Sequence, residues 1–130
     1  MSVPYVYDAG VLIAIDNDDR RMWGIHRFAL QEGRHLIVPA TVVAQAWRDG
    51  SRQVRLGRFL QSCEVTPVGL EIGKAAGMLC GRAGTNDVVD ATVVVIALTR
   101  GAIVFTSDPG DISALSAASG AKPGLVVRRV

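Results

Sequence analysis

The sequence has few cysteines, few histidines and no long apolar run, and each shortage excludes a class of protein. Its two cysteines, Cys63 and Cys80, are too few for the disulfide framework of a secreted domain, so we expect reduced thiols in a cytoplasmic protein. The longest apolar stretch, residues 93–98, is far shorter than the roughly 20 residues that span a bilayer. His26 and His35 are not spaced as a zinc-binding pair, and we expect both at the surface or at strand ends.

The sequence also lacks the glycine-rich and serine motifs of several enzyme classes. It contains no GxGxxG, no GxxxxGK[ST] and no GxSxG, so dinucleotide-binding, P-loop and serine-hydrolase functions lack their main support. What is present is a chain of 130 residues, 49% hydrophobic and 20% charged, which predicts one domain over residues 1–130 with a substantial core. The net charge is only +2, but nearly all basic residues are arginine, the residue type that pairs best with phosphate.

Short β-branched segments alternate with segments of helical periodicity along the chain. We predict strands at residues 3–7, 35–38, 103–105 and 125–127, and an edge strand or extended link at 63–68. We predict helices at residues 9–15, 20–32, 39–47, 51–62, 72–80, 88–99 and 112–118, the sixth of them buried on nearly every side, with a loop at 81–85 and a turn at 108–110. This alternation predicts a single α/β three-layer sandwich, with a mostly parallel sheet and helices on both faces.

Several of the acidic residues stand at ends of predicted elements. Asp8 follows the first strand, Asp87 and Asp90 open the helix at 88–99, and Asp108 follows the strand at 103–105. Each alone is explained as a helix cap or turn residue. Together they are expected to meet at the carboxyl edge of a parallel sheet, where such folds bind ligands. Carboxylates this close repel by roughly 4 kcal/mol per pair, so they either take up protons or hold a hard cation such as Mg²⁺.

Three segments in this order and spacing resemble a known family. Residues 7–13 (YDAGVLI), 87–91 (DVVDA) and 105–112 (FTSDPGDI) are similar to the signature segments of PIN-domain ribonucleases, specifically the VapC-type toxins of bacterial toxin-antitoxin pairs. The resemblance covers nearly the whole chain and implies a PIN-like fold. It also implies that Asp8, Asp90 and Asp108 are the catalytic, metal-binding carboxylates. Further candidates follow from their position nearby: Asp87 and Asp111 as ligands, and Thr106 or Ser107 as hydrogen-bond partner of the ligands.

Residue 45 departs from the family pattern. The family usually has a glutamate in the segment that matches residues 42–48, and Gln45 stands in its place. An amide still offers an oxygen but adds no negative charge to a cation site. Two functions therefore stay open: an endoribonuclease that hydrolyses RNA with Mg²⁺ or Mn²⁺, and a PIN-fold protein that binds RNA or an antitoxin without hydrolysis.

The resemblance also implies partners, namely a cognate antitoxin, an RNA substrate and a second copy of the chain in a homodimer. Arg48, Arg52 and Arg55 are candidates for contact with RNA or antitoxin, although a solvated helix face explains them equally well. A third possibility is a receiver-type phosphoacceptor domain, which has a similar length and parallel strands. Against it, Asp8 stands alone after the first strand, where a receiver has an acidic pair.

Overall fold

The computed structural model describes residues 2–130, within which five strands and seven helices alternate. The strands are β1 (Tyr5–Tyr7), β2 (Leu36–Pro39), β3 (Glu64–Thr66), β4 (Ile103–Thr106) and β5 (Val127–Arg129). The helices are α1 (Ala9–Asp16), α2 (Arg20–Gln31), α3 (Ala40–Ala46), α4 (Val54–Gln61), α5 (Leu70–Ala83), α6 (Val88–Arg100) and α7 (Pro109–Ser119). Within residues 2–130, none of these helices has both the length and the apolar character to cross a membrane.

All strand pairs are parallel, and the strand order is β3-β2-β1-β4-β5. The chain runs outward from β1 to β3 and then returns to place β4 on the other side of β1. The order therefore reverses between β1 and β4, and such a reversal opens a crevice at the carboxyl edge of the sheet. A receiver domain has the order 2-1-3-4-5, so the receiver alternative is wrong. The predicted α/β sandwich with a parallel sheet is confirmed.

The strand register assigns side chains to the two faces of the sheet. Tyr5, Tyr7 and Phe105 lie on one face, where the ring of Tyr7 stacks on Phe59 of α4 with 5.7 Å between centroids. Val6 and Val104 are paired on the opposite face, which packs against α6. Fully buried side chains from both faces form the core: Val6, Tyr7, Val11, Leu12, Ile15, Ile37, Val38, Val42, Leu56, Val93, Val104 and Ile112.

Several predicted boundaries are wrong. Helix α5 continues through most of the loop predicted at 81–85 and ends where Gly84 adopts a left-handed conformation, with φ of 69°. The turn predicted at 108–110 is the start of α7, because Pro109 has the backbone angle of a first helical turn and no amide hydrogen is needed there. Helix α4 begins at Val54 instead of residue 51, and the last strand lies two residues later than predicted.

Some predictions of burial are also wrong. Helix α6 is not buried all round, since Val88 is 56% exposed. In α3 the sequence pattern predicts Val42, Val43, Ala46 and Trp47 on a buried side; Val42 is fully buried and Val43 and Ala46 are half-buried, but Trp47 is 36% exposed. His35 is exposed, as expected, and lies 3.6 Å from Glu64.

His26, predicted at the surface, is only 2% exposed. Its Nε2 lies 2.8 Å from the hydroxyl of Ser62, which itself donates to the carbonyl of Phe59 at 2.6 Å. Nε2 must therefore carry the proton, and Nδ1 accepts from the hydroxyl of Tyr7 at 3.2 Å. Burial disfavours the charged form of the ring and lowers its pKa to about 4. The ring is therefore buried as a neutral, hydrogen-bonded group.

Candidate metal centre

Asp8 and Asp108 are connected through the hydroxyl of Thr106 at the reversal point of the sheet. The backbone amide of Asp8 donates to the carbonyl of Phe105 at 2.9 Å, which ties the end of β1 to the end of β4. Thr106, fully buried, donates its hydroxyl to Asp8 Oδ2 at 2.7 Å and accepts from the amide of Asp108 at 2.9 Å. One side chain therefore fixes both the carboxylate of Asp8 and the turn that carries Asp108.

Asp90 lies within the influence of carboxylates from three other segments. It is buried in the first turn of α6, with 7% of its surface exposed. Burial raises its pKa to about 8, and a hydrogen bond with Asp87 and the negative charges of Asp8, Asp87 and Asp108 act in the same direction. The protein therefore disfavours the ionised form of Asp90.

Asp87, the N-cap of α6, and Asp111, in the first turn of α7, lie close to Asp90. One carboxylate oxygen from each of these three residues lies within 4.8 Å of the others. They line a cavity of about 130 Å³ together with Ala83, Thr85, Ala114 and Leu115. Asp87 also caps α6, since its Oδ1 accepts from the amide of Asp90 at 3.2 Å. The carboxylate of Asp87 therefore both caps α6 and lies next to the carboxylates of Asp90 and Asp111.

We call Asp8, Asp87, Asp90, Asp108 and Asp111 the acidic cluster. Among the described residues, the spacing of a shared cation site is met by Asp87, Asp90 and Asp111, whereas Asp8 and Asp108 join the cluster through the action of their charges on Asp90. Within residues 2–130, no arginine, lysine or histidine forms an ion pair with any of them. The starts of helices α1, α6 and α7 meet here, and their partial positive charges offset only part of the repulsion. Oxygen donors without a basic partner form the ligand set that Mg²⁺ or Mn²⁺ prefers, so the residues present fit a divalent cation.

The sequence also predicts Ser107 and Gln45 near the metal ligands, and the structure gives each of them other surroundings. Of the two candidate hydrogen-bond partners, Thr106 bonds to Asp8, whereas Ser107 makes no hydrogen bond to the acidic cluster within the described residues. Instead it packs on α1, where a Cβ added to Gly10 would lie 2.5 Å from the Ser107 Oγ. Gln45 is exposed on α3, one turn after Thr41, whose hydroxyl lies 2.7 Å from that of Thr92 in α6.

The arginines proposed for partner contacts are all exposed; Arg48 and Arg52 lie in the link between α3 and α4, and Arg55 lies in the first turn of α4. Arg48 donates to the carbonyl oxygens of Ala44 and Trp47, at the end of α3. Arg52 lies 4.0 Å from Asp49, and Arg55 donates to the carbonyl of Asp16 at 3.1 Å. None of the three contacts the acidic cluster.

Sequence reasoning missed Thr85 as part of the site. Its hydroxyl accepts from the amide of Asp87 at 3.2 Å and it lines the same cavity as Asp90 and Asp111. The Thr-x-Asp spacing before a helix is the signal that points to such a turn.

No protein-family model and no curated protein matches this chain, but solved structures do. The crystal structure of VapBC2 from Rickettsia felis bound to a DNA fragment from their promoter has a chain that matches 98% of this one over 99% of its own length, with 13% identity and a TM-score of 0.72. DNA-bound VapBC from Salmonella typhimurium matches with 16% identity, coverage of 98% of both chains and a TM-score of 0.66.

A third match is PAE2754 from Pyrobaculum aerophilum, with 19% identity, coverage of 98% of this chain and 92% of that one, and a TM-score of 0.61. Each likeness extends over nearly the full length of both chains. The fold implied by the sequence resemblance is therefore confirmed: this chain has a PIN-like fold, which it shares with the matched chains of the VapBC structures.

Proposed function

We propose that this protein is a metal-dependent ribonuclease that acts as the toxin of a toxin-antitoxin pair, as a single domain in the cytoplasm. The observation that carries the proposal is the acidic cluster at the reversal point of a PIN-like sheet. Five carboxylates without a basic partner favour a hard cation, and the open carboxyl edge gives an RNA strand access to it. The fold shared with VapBC structures supports the same function.

In this proposal Asp8, Asp90 and Asp108 hold Mg²⁺ or Mn²⁺, with Asp87 and Asp111 as further ligands. Such a cation supplies an activated water and neutralises charge on the phosphodiester. The residues of the chain supply position: Thr106 holds one oxygen of Asp8, and the amide of Ala9 donates to the other at 2.7 Å. Asp90 would have to be ionised to serve as a ligand, so a bound cation would favour the charged form that burial disfavours.

The test is RNA cleavage by the purified protein with Mg²⁺, Mn²⁺ or a chelator. Asp8→Ala and Asp90→Ala are expected to abolish metal-dependent cleavage and to keep the circular dichroism spectrum of the wild type. Glu71→Ala is the matched control, since Glu71 is an exposed acid on α5 outside the acidic cluster. Undiminished cleavage by both aspartate variants would reject the assignment of these carboxylates.

The second candidate function is RNA or antitoxin binding without hydrolysis. It is favoured by Gln45, an exposed and neutral side chain one helical turn after Thr41, where the resemblance implies a glutamate. Under this alternative the wild type binds RNA but does not cleave it. Gln45→Glu is expected to tighten Mg²⁺ binding measured by calorimetry if residue 45 faces the cation, and an unchanged titration would exclude that position.

The proposed partners are an antitoxin, RNA and a second copy of the chain. Co-purification with the product of an adjacent reading frame tests the first, and sedimentation velocity tests the homodimer. Reversal of Arg52 and Arg55 to glutamate tests their role, with Arg48→Ala as a third variant. Weaker RNA binding at low salt would assign this surface to RNA, whereas a loss of antitoxin affinity alone would assign it to the antitoxin.

A further inference from the structure

The two arginines of β5 emerge on opposite faces of the sheet. In the parallel register Thr106 pairs with Arg129 and Phe105 pairs with Arg128. Paired residues on neighbouring strands point to the same face, and the strands lie about 4.8 Å apart. Arg129 therefore lies on the face where the hydroxyl of Thr106 meets Asp8, whereas Arg128 lies on the face occupied by the ring of Phe105.

The backbone at Arg129 is fixed and its side chain is free. On one side of it, the amide of Val130 donates to the carbonyl of Thr106 at 3.0 Å, and on the other the amide of Val104 donates to the carbonyl of Val126 at 3.0 Å. Arg129 is exposed, and within residues 2–130 its guanidinium forms no ion pair and no hydrogen bond. Strand β5 thus holds a guanidinium, unpaired within the described residues, on the face of the sheet that carries Thr106 and Asp8.

A cluster of carboxylates needs such a cation if its substrate is RNA. The metal offsets the charge at one phosphate, but the phosphates on either side still meet a negatively charged surface. Arginine binds phosphate through two parallel hydrogen bonds and is always charged, so a single guanidinium at the border of the cluster can hold the backbone in register.

We propose that Arg129 binds a phosphate of the RNA backbone next to the one that is cleaved, with the strand crossing the carboxyl edge of the sheet over β4 and β5. This inference rests on the proposed ribonuclease function. It assigns Arg129 a positioning role in substrate binding and gives no such role to Arg128.

Arg128 is the matched control, because Arg128→Ala and Arg129→Ala remove the same charge from adjacent exposed positions of one strand. Binding of a short fluorescein-labelled single-stranded RNA is measured by fluorescence anisotropy at several salt concentrations, with each variant placed in the Asp90→Asn background to prevent cleavage. Arg129→Ala is expected to weaken binding about tenfold and to reduce the slope of log affinity against log salt by about 0.7. Arg128→Ala is expected to change neither, and Arg129→Lys to restore the salt slope but only part of the affinity.

In steady-state cleavage with Asp90 intact, Arg129→Ala is expected to raise KM with little change in kcat, since it removes binding outside the reacting phosphate. Equal effects of the two alanine variants on RNA that the wild type binds and cleaves would overturn this inference and leave the proposed function standing. A wild-type protein that neither binds nor cleaves RNA would overturn the proposed function and this inference with it. The thermal unfolding midpoint of each variant is compared with that of the wild type, and equal midpoints would show that a change in binding does not arise from unfolding.

Discussion

Thr106, at the end of β4, holds two residues of the acidic cluster in place through its hydroxyl group. Its hydroxyl donates to Asp8 and accepts from the amide of Asp108. Thr106→Val keeps the shape of the side chain and removes both hydrogen bonds, so we expect the fold to persist and Mg²⁺ affinity to fall about 10- to 100-fold. Isothermal titration with Mg²⁺ measures the change. Thr106→Ser keeps the hydroxyl and serves as control; equal losses in both variants would show that the hydroxyl does not act through Asp8.

The buried position of Asp90 lowers the stability of the folded protein. It is buried beside other carboxylates, and burial raises its pKa to about 8. Asp90→Asn removes the charge that burial disfavours and can still donate a hydrogen bond to Asp87, so without metal we expect the variant to be more stable by about 2 kcal/mol at pH 8. Chemical denaturation in chelator measures this.

Asp111→Asn is the control for that measurement, because Asp111 is exposed and its charge remains hydrated. We expect a smaller gain there. Added Mg²⁺ is expected to stabilise the wild type more than the Asp90→Asn variant, since only a complete ligand set binds the cation tightly. A less stable Asp90→Asn protein in chelator would contradict the view that repulsion and burial dominate at this position.

At the residue scale, the sequence predicts which carboxylates stand near strand and helix ends, but not how each is held. Asp8 and Asp108 follow from their positions, because the carboxyl ends of parallel strands share one edge. The role of Ser107 does not follow, since a hydroxyl next to an aspartate suits both a hydrogen bond and a close packing contact. Only the three-dimensional approach of Gly10 decides between them.

Helix α1 begins where β1 and β4 come together, and Gly10 is the residue that permits this approach. A Cβ at residue 10 would lie 2.5 Å from the Oγ and 3.0 Å from the backbone nitrogen of Ser107. We expect Gly10→Ala to destabilise the protein by about 1–3 kcal/mol, because overpacking forces the β4–α7 loop to move. Urea denaturation measures the loss, and cleavage should fall as well, because that loop carries Asp108.

Gly24 in α2 is the control for this substitution. A Cβ there meets nothing within 4 Å, so Gly24→Ala is expected to stabilise the protein by about 0.5–1 kcal/mol through helix propensity alone. If both substitutions had the same sign, the close approach of α1 to the β4–α7 loop would not be the cause.

At the element scale, the order of strands and helices is predicted well because periodicity and β-branched runs report it directly. The boundaries are less accurate where tertiary contacts decide them. The link between α3 and α4 is one example: the buried amide of Gln53 accepts from the amides of Arg48 and Asp49 and donates to Asp16 and Ala46. A glutamine carries no local signal for such a role, so the start of α4 was predicted too early.

At the scale of the whole molecule, the buried ring of His26 joins α2 to β1 and to the end of α4. Tyr7 and Ser62 satisfy both ring nitrogens, while Phe59 packs 4.3 Å from the ring centroid. The sequence does not reveal this, because helical periodicity places His26 between apolar and basic neighbours. The network has a measurable consequence, since it accommodates only the neutral ring.

We therefore expect the contribution of His26 to the stability of the protein to be lost in mild acid. The pKa of His26 is about 4 in the folded protein and about 6.5 in the unfolded chain. Between these values the unfolded state binds a proton that the native state does not, so the contribution of His26 is complete above pH 6.5 and is lost as the pH falls toward 4. The loss amounts to at most about 3 kcal/mol.

Urea denaturation from pH 7.5 to 4.5, in wild type and in His26→Gln, measures this contribution. Glutamine preserves hydrogen bonding but does not titrate, so we expect the gap between the two proteins to narrow as the pH falls. Asp90 acts in the opposite direction, because its raised pKa makes the native state bind a proton in the same range. That contribution is common to both proteins and cancels in the difference. A gap independent of pH would show that the His26 ring accepts a proton without loss of its contacts with Tyr7 and Ser62.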